Sequence, residues 1–145
     1  MKRTLFFAWI SAFAIWPLSP SAAAPRCYST SRFVVLDGGL VRDTLTNLVW
    51  QQQASTTRMA WEAAGSCAAA GAGFRLPTLK ELDSILDLTV TSGAIINQTV
   101  FPNTPAEGFW TSSRYGDRLA WGVYFDFASF FNCPMGAPQR VRCVR

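Results

Sequence analysis

Residues 74–82 read FRLPTLKEL and contain the clearest helix start in the sequence. Thr78 and Glu81 have the S/T-x-x-E spacing of a capping box, in which each side chain accepts a hydrogen bond from the other residue's backbone. The apolar face of the helix is then supplied by Leu79, Leu82, Ile85 and Leu86. Arg75 lies just before this helix, and we expect an ion pair with Glu81 that fixes the start of the helix rather than a clamp for an external anion.

Another helix is predicted before this one, over residues 58–70. Small residues recur there at i, i+3, i+4, i+7 and i+8, which is the spacing of one helix face. These residues are Ala60, Ala63, Ala64, Cys67 and Ala68. Gly71 and Gly73 follow and predict the end of the helix.

Short apolar or alternating runs predict strands on both sides of the helices. Before the helices they cover residues 33–36, 40–41 and 48–51, separated by turn residues, and they predict an antiparallel ribbon. After an irregular stretch over 89–108, they cover 109–112, 120–125 and 140–144. This order predicts an α+β domain with a mainly antiparallel sheet rather than a doubly wound one.

The first 23 residues have the pattern of a secretory signal peptide. Lys2 and Arg3 precede an apolar run over 5–18, and the small residues at 21–24 predict cleavage after Ala23. The alternative is an uncleaved anchor, but the run is shorter than the ~20 residues that span a bilayer. We therefore expect residues 24–145 to form one secreted, periplasmic or cell-surface domain without a membrane span.

Composition excludes several classes of function. The chain has 145 residues, of which 50% are hydrophobic, and it has no histidine, so Ser-His-Asp catalysis, Cys-His catalysis and histidine metal sites are ruled out. Without Lys2 and Arg3, 11 basic residues face 9 acidic ones, a net charge of +2. That charge is too small for a groove that follows a nucleic-acid backbone, so no nucleic-acid partner is expected.

Four cysteines remain after the leader: Cys27, Cys67, Cys133 and Cys143. An even number of widely spaced cysteines in an exported chain predicts two disulfides, and three pairings are open.

Seven short motifs occur in the order of a known family. They are D-x-x-T-x-L-x-W over 43–50, W-x-x-A-x-x-C over 61–67, FRLPT-x-x-EL over 74–82, FPNT over 101–104, FWTSS over 109–113, A-W-x-V-x-F over 120–125 and VRCVR over 141–145. Together they resemble the Lcl C-terminal domain family, named after the C-terminal domain of a bacterial collagen-like adhesin, over about residues 35–145. The family is similar to the C-type-lectin-like fold, which implies two helices packed on a small antiparallel sheet with long irregular loops.

The resemblance also implies a disulfide pairing and a function. In lectin-like folds a cysteine on the first helix pairs with one on the last strand, which implies Cys67–Cys143 and leaves Cys27–Cys133. The adhesin's domain is associated with sulfated polysaccharides and with trimers. This implies a non-catalytic module for surface adhesion or for binding an anionic glycan or a surface protein, with no cofactor, as a homo-oligomer.

The expected ligand-binding residues lie in the late loops and are Arg114, Tyr115, Arg118 and Arg140. Guanidinium groups bind sulfate and carboxylate through two parallel hydrogen bonds. The alternative is an ordinary solvated surface. No cluster of oxygen ligands predicts a calcium site, so no metal is expected.

The four tryptophans outside the leader lie in patterned segments, so we expect core positions rather than sugar-stacking ones. They are Trp50, Trp61, Trp110 and Trp121. Arg142, beside Cys143, is also expected to be structural.

Two other functions stay open. The R-L-P-T signature is shared with formylglycine-generating enzymes, which would need a reactive pair such as Cys133 and Cys143. A structural subunit of a surface assembly would have no ligand but a defined oligomer.

Overall fold

A computed structural model describes residues 32–65 and 67–145. The predicted signal peptide over 1–23 and Cys27 lie outside these described residues. In chain order the strands are β1 (Phe33–Leu36), β2 (Leu40–Asp43), β3 (Val49–Gln51), β4 (Gly108–Tyr115), β5 (Leu119–Tyr124) and β6 (Ser129–Pro134). Two helices, α1 (Trp61–Gly65) and α2 (Leu79–Asp83), lie between β3 and β4.

The strands form two antiparallel sheets of three, ordered β1-β2-β3 and β4-β5-β6. Gly38 and Gly39 join β1 to β2 with φ values of +76° and +71°, which glycine adopts without steric cost. The predicted ribbon over 33–51 and the irregular stretch before β4 are confirmed. The fold is therefore α+β with mainly antiparallel sheets, as the sequence predicts.

The last seven residues connect the two sheets. Gln51 N–H donates to Cys143 O at 3.0 Å, which links the segment to β3, while Trp110 N–H donates to Arg140 O at 2.9 Å, which links it to β4. Arg75 and Val144 exchange two hydrogen bonds of 2.9 Å just before α2. The predicted strand over 140–144 is therefore wrong as a continuous strand, because its residues form isolated bridges with different partners.

Two apolar clusters form the core. One joins Leu82 of α2 to residues of both sheets: Trp50 from the first, and Phe109 and Val123 from the second. The other contains Trp110 and surrounds the C-terminal segment. Trp50 and Trp110 are fully buried, as predicted, whereas Trp61 and Trp121 are only half-buried.

The first helix is shorter than the predicted range of 58–70. Met59 exchanges two backbone hydrogen bonds with Gln139, so the chain before Trp61 is extended rather than helical. Cys67 has a φ of +35°, outside the helical region, and only a 3-10 turn follows at Ala68–Ala70. Neither helix of the described residues is long and apolar enough to cross a membrane.

Strand β6 is absent from the sequence prediction. Its residues do not alternate between apolar and polar, because Phe130 and Phe131 are adjacent and point to opposite faces. Phe131 packs over Gly122 of β5, where a Cβ atom would lie 2.2 Å from the ring. Gly122 therefore makes the room that lets β6 join the sheet.

Candidate functional site

The capping box at the start of α2 forms as predicted. Thr78 accepts a hydrogen bond from Glu81 N–H, and Glu81 accepts one from Thr78 N–H at 2.7 Å. Arg75 donates to both carboxylate oxygens of Glu81 at 2.8 Å, which confirms the predicted ion pair. The hydrogen bonds from Arg75 are the largest cause that lowers the pKa of Glu81 to about 2.

The capped helix end supports strand β4. Pro77 O accepts a hydrogen bond from Ser112 N–H at 2.7 Å, and Leu79 N–H donates to Ser113 Oγ at 3.0 Å. The register between β4 and β5 shifts between Trp110 and Arg114 at this place. The residues just before the end of β4 are therefore fixed to the start of α2.

The turn of the β4–β5 hairpin carries three of the four predicted ligand-binding residues. Arg114 and Tyr115 end β4, Arg118 precedes β5, and all three are exposed. Gly116, with a φ of +73°, makes the tight turn between them. We call Arg114, Tyr115 and Arg118 the hairpin tip.

Neither guanidinium of the hairpin tip forms an ion pair with any described residue. Arg114 donates one hydrogen bond of 3.3 Å to the backbone oxygen of Asp117 and lies 5.7 Å from the ring centre of Trp61. The Trp61 ring is held in turn by a 2.7 Å hydrogen bond from its Nε1 to Thr111 O. Both arginines therefore keep most of their donors for a ligand.

Arg140, the fourth predicted residue, is engaged elsewhere. Its guanidinium donates to Glu107 at 2.6 Å and to the backbone oxygens of Ser55 and Thr56. Glu107 also pairs with Arg58 at 2.9 Å, and the hydrogen bonds from Arg140 and then Arg58 lower the pKa of Glu107 to about 2. The structure does not bring the Arg140 donors to the hairpin tip.

Arg142 is fully buried, in keeping with the predicted structural role. Its guanidinium donates to the backbone oxygens of Gln51 and Gln52 and to Thr104 Oγ1, and it lies 4.8 Å from the ring centre of Phe101. Burial lowers the pKa of Arg142 to about 9. The arginine thus joins β3, the loop before β4 and the C-terminal segment.

The cysteines confirm one predicted pair. Cys67 and Cys143 form a disulfide with a Cα–Cα distance of 6.0 Å. Cys133 is half-buried and forms no disulfide with a described residue; Gln139 Nε2 lies 3.8 Å from its sulfur, and burial raises the pKa of its thiol. Its predicted partner, Cys27, lies outside the described residues, so that pair stays a prediction. Within residues 32–65 and 67–145, no cluster of three or more acidic or cysteine residues could hold a metal ion.

Two exposed residues of β6 are missing from the predicted ligand-binding residues. Phe130, which is 52% exposed, and Asn132 lie on β6, beside Trp121 of β5. Phe130 and Phe131 are adjacent in an aromatic stretch over 127–132, which lies in the sequence between the turn at 114–118 and Arg140. Because the sequence does not predict β6, it does not show that Phe130 and Asn132 lie beside β5.

Fold and site together define a small, disulfide-bonded α+β domain that presents unpaired arginines on an exposed hairpin. The Lcl C-terminal domain family matches residues 39–145, and the chain belongs to that family, as its motifs predict. Among solved structures, that of botrocetin is similar over 81% of this chain and 98% of its own, with 9% sequence identity and a TM-score of 0.48. No curated protein sequence matches the chain.

Proposed function

We propose that this domain is an exported, non-catalytic binding module that recognises a sulfated or acidic glycan through the hairpin tip, in surface adhesion. The observation that carries the proposal is the pair of exposed arginines, Arg114 and Arg118, that have no carboxylate partner among the described residues. Membership of the Lcl C-terminal domain family supports a binding role.

The distribution of ion pairs supports the hairpin tip over other basic positions. Four arginines of the described residues are paired with carboxylates: Arg32, Arg58, Arg75 and Arg140. An anion at one of these would have to displace a carboxylate, whereas Arg114 and Arg118 have no carboxylate to displace. Arg42 of β2 is also exposed without an ion pair, but it is a single arginine and not one of two beside the same turn. Exposed Tyr115 lies between Arg114 and Arg118 and adds an aromatic surface and a hydroxyl group.

The double substitution Arg114→Ala and Arg118→Ala tests the proposal. We expect the wild-type domain to bind heparin at about 0.05 M salt, to release it at about 0.5 M, and to lose retention in the double variant, because counterion release drives such binding. Arg42→Ala is the matched control for each of the two single variants, Arg114→Ala and Arg118→Ala, since Arg42 is an exposed arginine of β2 outside the hairpin tip and no described residue forms an ion pair with it. Equal losses in the control and the double variant, or no retention of the wild type, would refute glycan recognition here.

The disulfide also bears on the enzyme alternative. A formylglycine-generating activity would need Cys133 and Cys143 as a reactive pair, but Cys143 is bonded to Cys67. The position of that bridge supports the finer proposal that the domain is C-type-lectin-like, since it is the one the resemblance implies. A disulfide also suits the proposed location in the periplasm, at the cell surface or outside the cell.

A further inference from the structure

One face of the second sheet carries three aromatic side chains in a line. Trp121 of β5 lies directly opposite Asn132 of β6, and Phe130 lies opposite Val123, two residues along β5 from Trp121. Opposed residues, and residues two apart on one strand, share a sheet face. Tyr115 completes the line, because its ring contacts the Trp121 ring edge-on with centroids 5.1 Å apart. We call Tyr115, Trp121 and Phe130 the aromatic strip.

The aromatic strip faces solvent although it continues the buried face of the sheet. Val123, on the same face, is fully buried under the core that contains α2, whereas Tyr115 and Phe130 are 51% and 52% exposed. The opposite face is filled, since Phe131 packs on Tyr124 with ring centres 4.2 Å apart. The strip is thus the part of this sheet face that the rest of the described chain leaves open.

We propose that the aromatic strip is a stacking subsite for one neutral pyranose ring, adjoining the anion-binding hairpin tip. The inference rests on the proposed function, in which the charged part of the same glycan binds the hairpin tip. The axial C–H groups of a pyranose form an apolar face, which suits the faces of aromatic rings. The hydroxyl groups around the edge of the ring need hydrogen-bonding side chains beside the aromatic rings. The exposed side chain of Asn132, beside Trp121, offers both a donor and an acceptor.

The size of the strip favours a sugar over a protein partner. A stable protein interface buries about 800 Å² on each partner. Three side chains, none more than 52% exposed, present only part of such an area, which is comparable with one or two sugar rings. The strip shares Tyr115 with the hairpin tip, whereas Arg114, the residue before it on β4, points to the other sheet face, toward Trp61. A glycan chain with a ring on the strip therefore reaches the arginines by passing over the end of the hairpin.

Two hexasaccharide probes test this subsite. One is a heparin hexasaccharide, and the other is its uncharged form after desulfation, N-acetylation and reduction of the carboxyl groups. The readout is the indole N–H signal of Trp121 in NMR titrations, assigned from its loss in Trp121→Phe. Phe130→Ala removes one ring of the strip, and Phe127→Ala is the matched control, since Phe127 is 75% exposed but lies in the turn after β5, outside the strip.

We expect both probes to shift the Trp121 signal, and Phe130→Ala to weaken each by about five-fold, as for the loss of one aromatic contact. The slope of log Kd against log salt should stay unchanged in Phe130→Ala, because no charge is removed. No shift with the uncharged probe, or equal effects of Phe130→Ala and Phe127→Ala, overturns the stacking subsite. If the wild type does not bind heparin but the uncharged probe still shifts the Trp121 signal, only the anionic part of the proposed function is overturned.

Discussion

Replacing Glu81 by glutamine should lower the stability of the domain at neutral pH, and the deficit should disappear in acid. The Glu81 carboxylate accepts two hydrogen bonds from Arg75 and one from the backbone of Thr78. Glutamine keeps one oxygen acceptor but places an amide N–H₂ against a guanidinium donor. The substitution therefore removes the ion pair, while the remaining amide oxygen can still accept the hydrogen bond from Thr78 N–H that completes the capping box.

The magnitude follows from the pKa of Glu81, which falls from 4.5 to about 2 in the folded protein. At about 1.4 kcal/mol for each pKa unit, full linkage would amount to about 3 kcal/mol. The Arg75 side chain is 48% exposed, so solvent screening reduces the expected loss to about 1–2 kcal/mol. Because the folded pKa is depressed, this stabilisation is present above the unfolded pKa and is lost as pH falls from 4.5 toward 2.

Urea unfolding followed by tryptophan fluorescence, at several pH values from about 7 to about 2.5, measures this difference. Other carboxylates, such as Glu107, also lose their contribution in acid, but they do so equally in both proteins. Glu62→Gln is the matched control, because Glu62 is exposed on α1 and forms no ion pair with a described residue. A deficit that stays constant down to about pH 2.5, or its absence at pH 7, would refute the assigned role of Glu81.

Two further substitutions test the long-range contacts. Replacing both Cys67 and Cys143 by alanine opens a loop with a sequence separation of 76. In the chain-entropy model this should lower the free energy of unfolding by about 4.5 kcal/mol. Equal urea midpoints for the oxidised and the reduced wild type would contradict this stabilisation. Gly122→Ala should cost about 1–3 kcal/mol, because the new Cβ would lie 2.2 Å from the Phe131 ring, whereas Gly136→Ala, with open space around it, should be close to neutral in the same unfolding measurement.

Local signals in the sequence predict local structure well in this chain. Thr78 and Glu81 are three residues apart, so the capping box needs nothing beyond its own turn, and it forms as predicted. The first helix fails for the opposite reason. Its alanine spacing is helical, but Met59 is drawn into pairing with Gln139, which lies 80 residues further along the chain. Tertiary pairing overrides the local pattern there.

The candidate site divides in the same way. Arg114 and Arg118 sit on a short hairpin whose turn is visible from Gly116, and the structure places them together as expected. Arg140 is also an arginine in a late loop, so the sequence predicts the same role for it. Its partner Glu107 is 33 residues away, and nothing in the sequence indicates that pairing. Phe130 lies between the two candidate loops in the sequence, but its place diagonal to Trp121 depends on β6, an edge strand without apolar alternation.

The use of arginine explains how this small domain can separate stability from binding. Arg142 donates to backbone oxygens of neighbouring residues and to Thr104, which the single ammonium of a lysine could not match in this geometry. Arg140 similarly joins Glu107 to the chain at 55–56. These arginines hold segments that are far apart in sequence, so changing them alters the fold. The side chains of Arg114 and Arg118 donate no hydrogen bond to a distant segment of the described chain. Substitutions at the hairpin tip can therefore change its charge and the ligand it binds while the sheets and the disulfide stay the same.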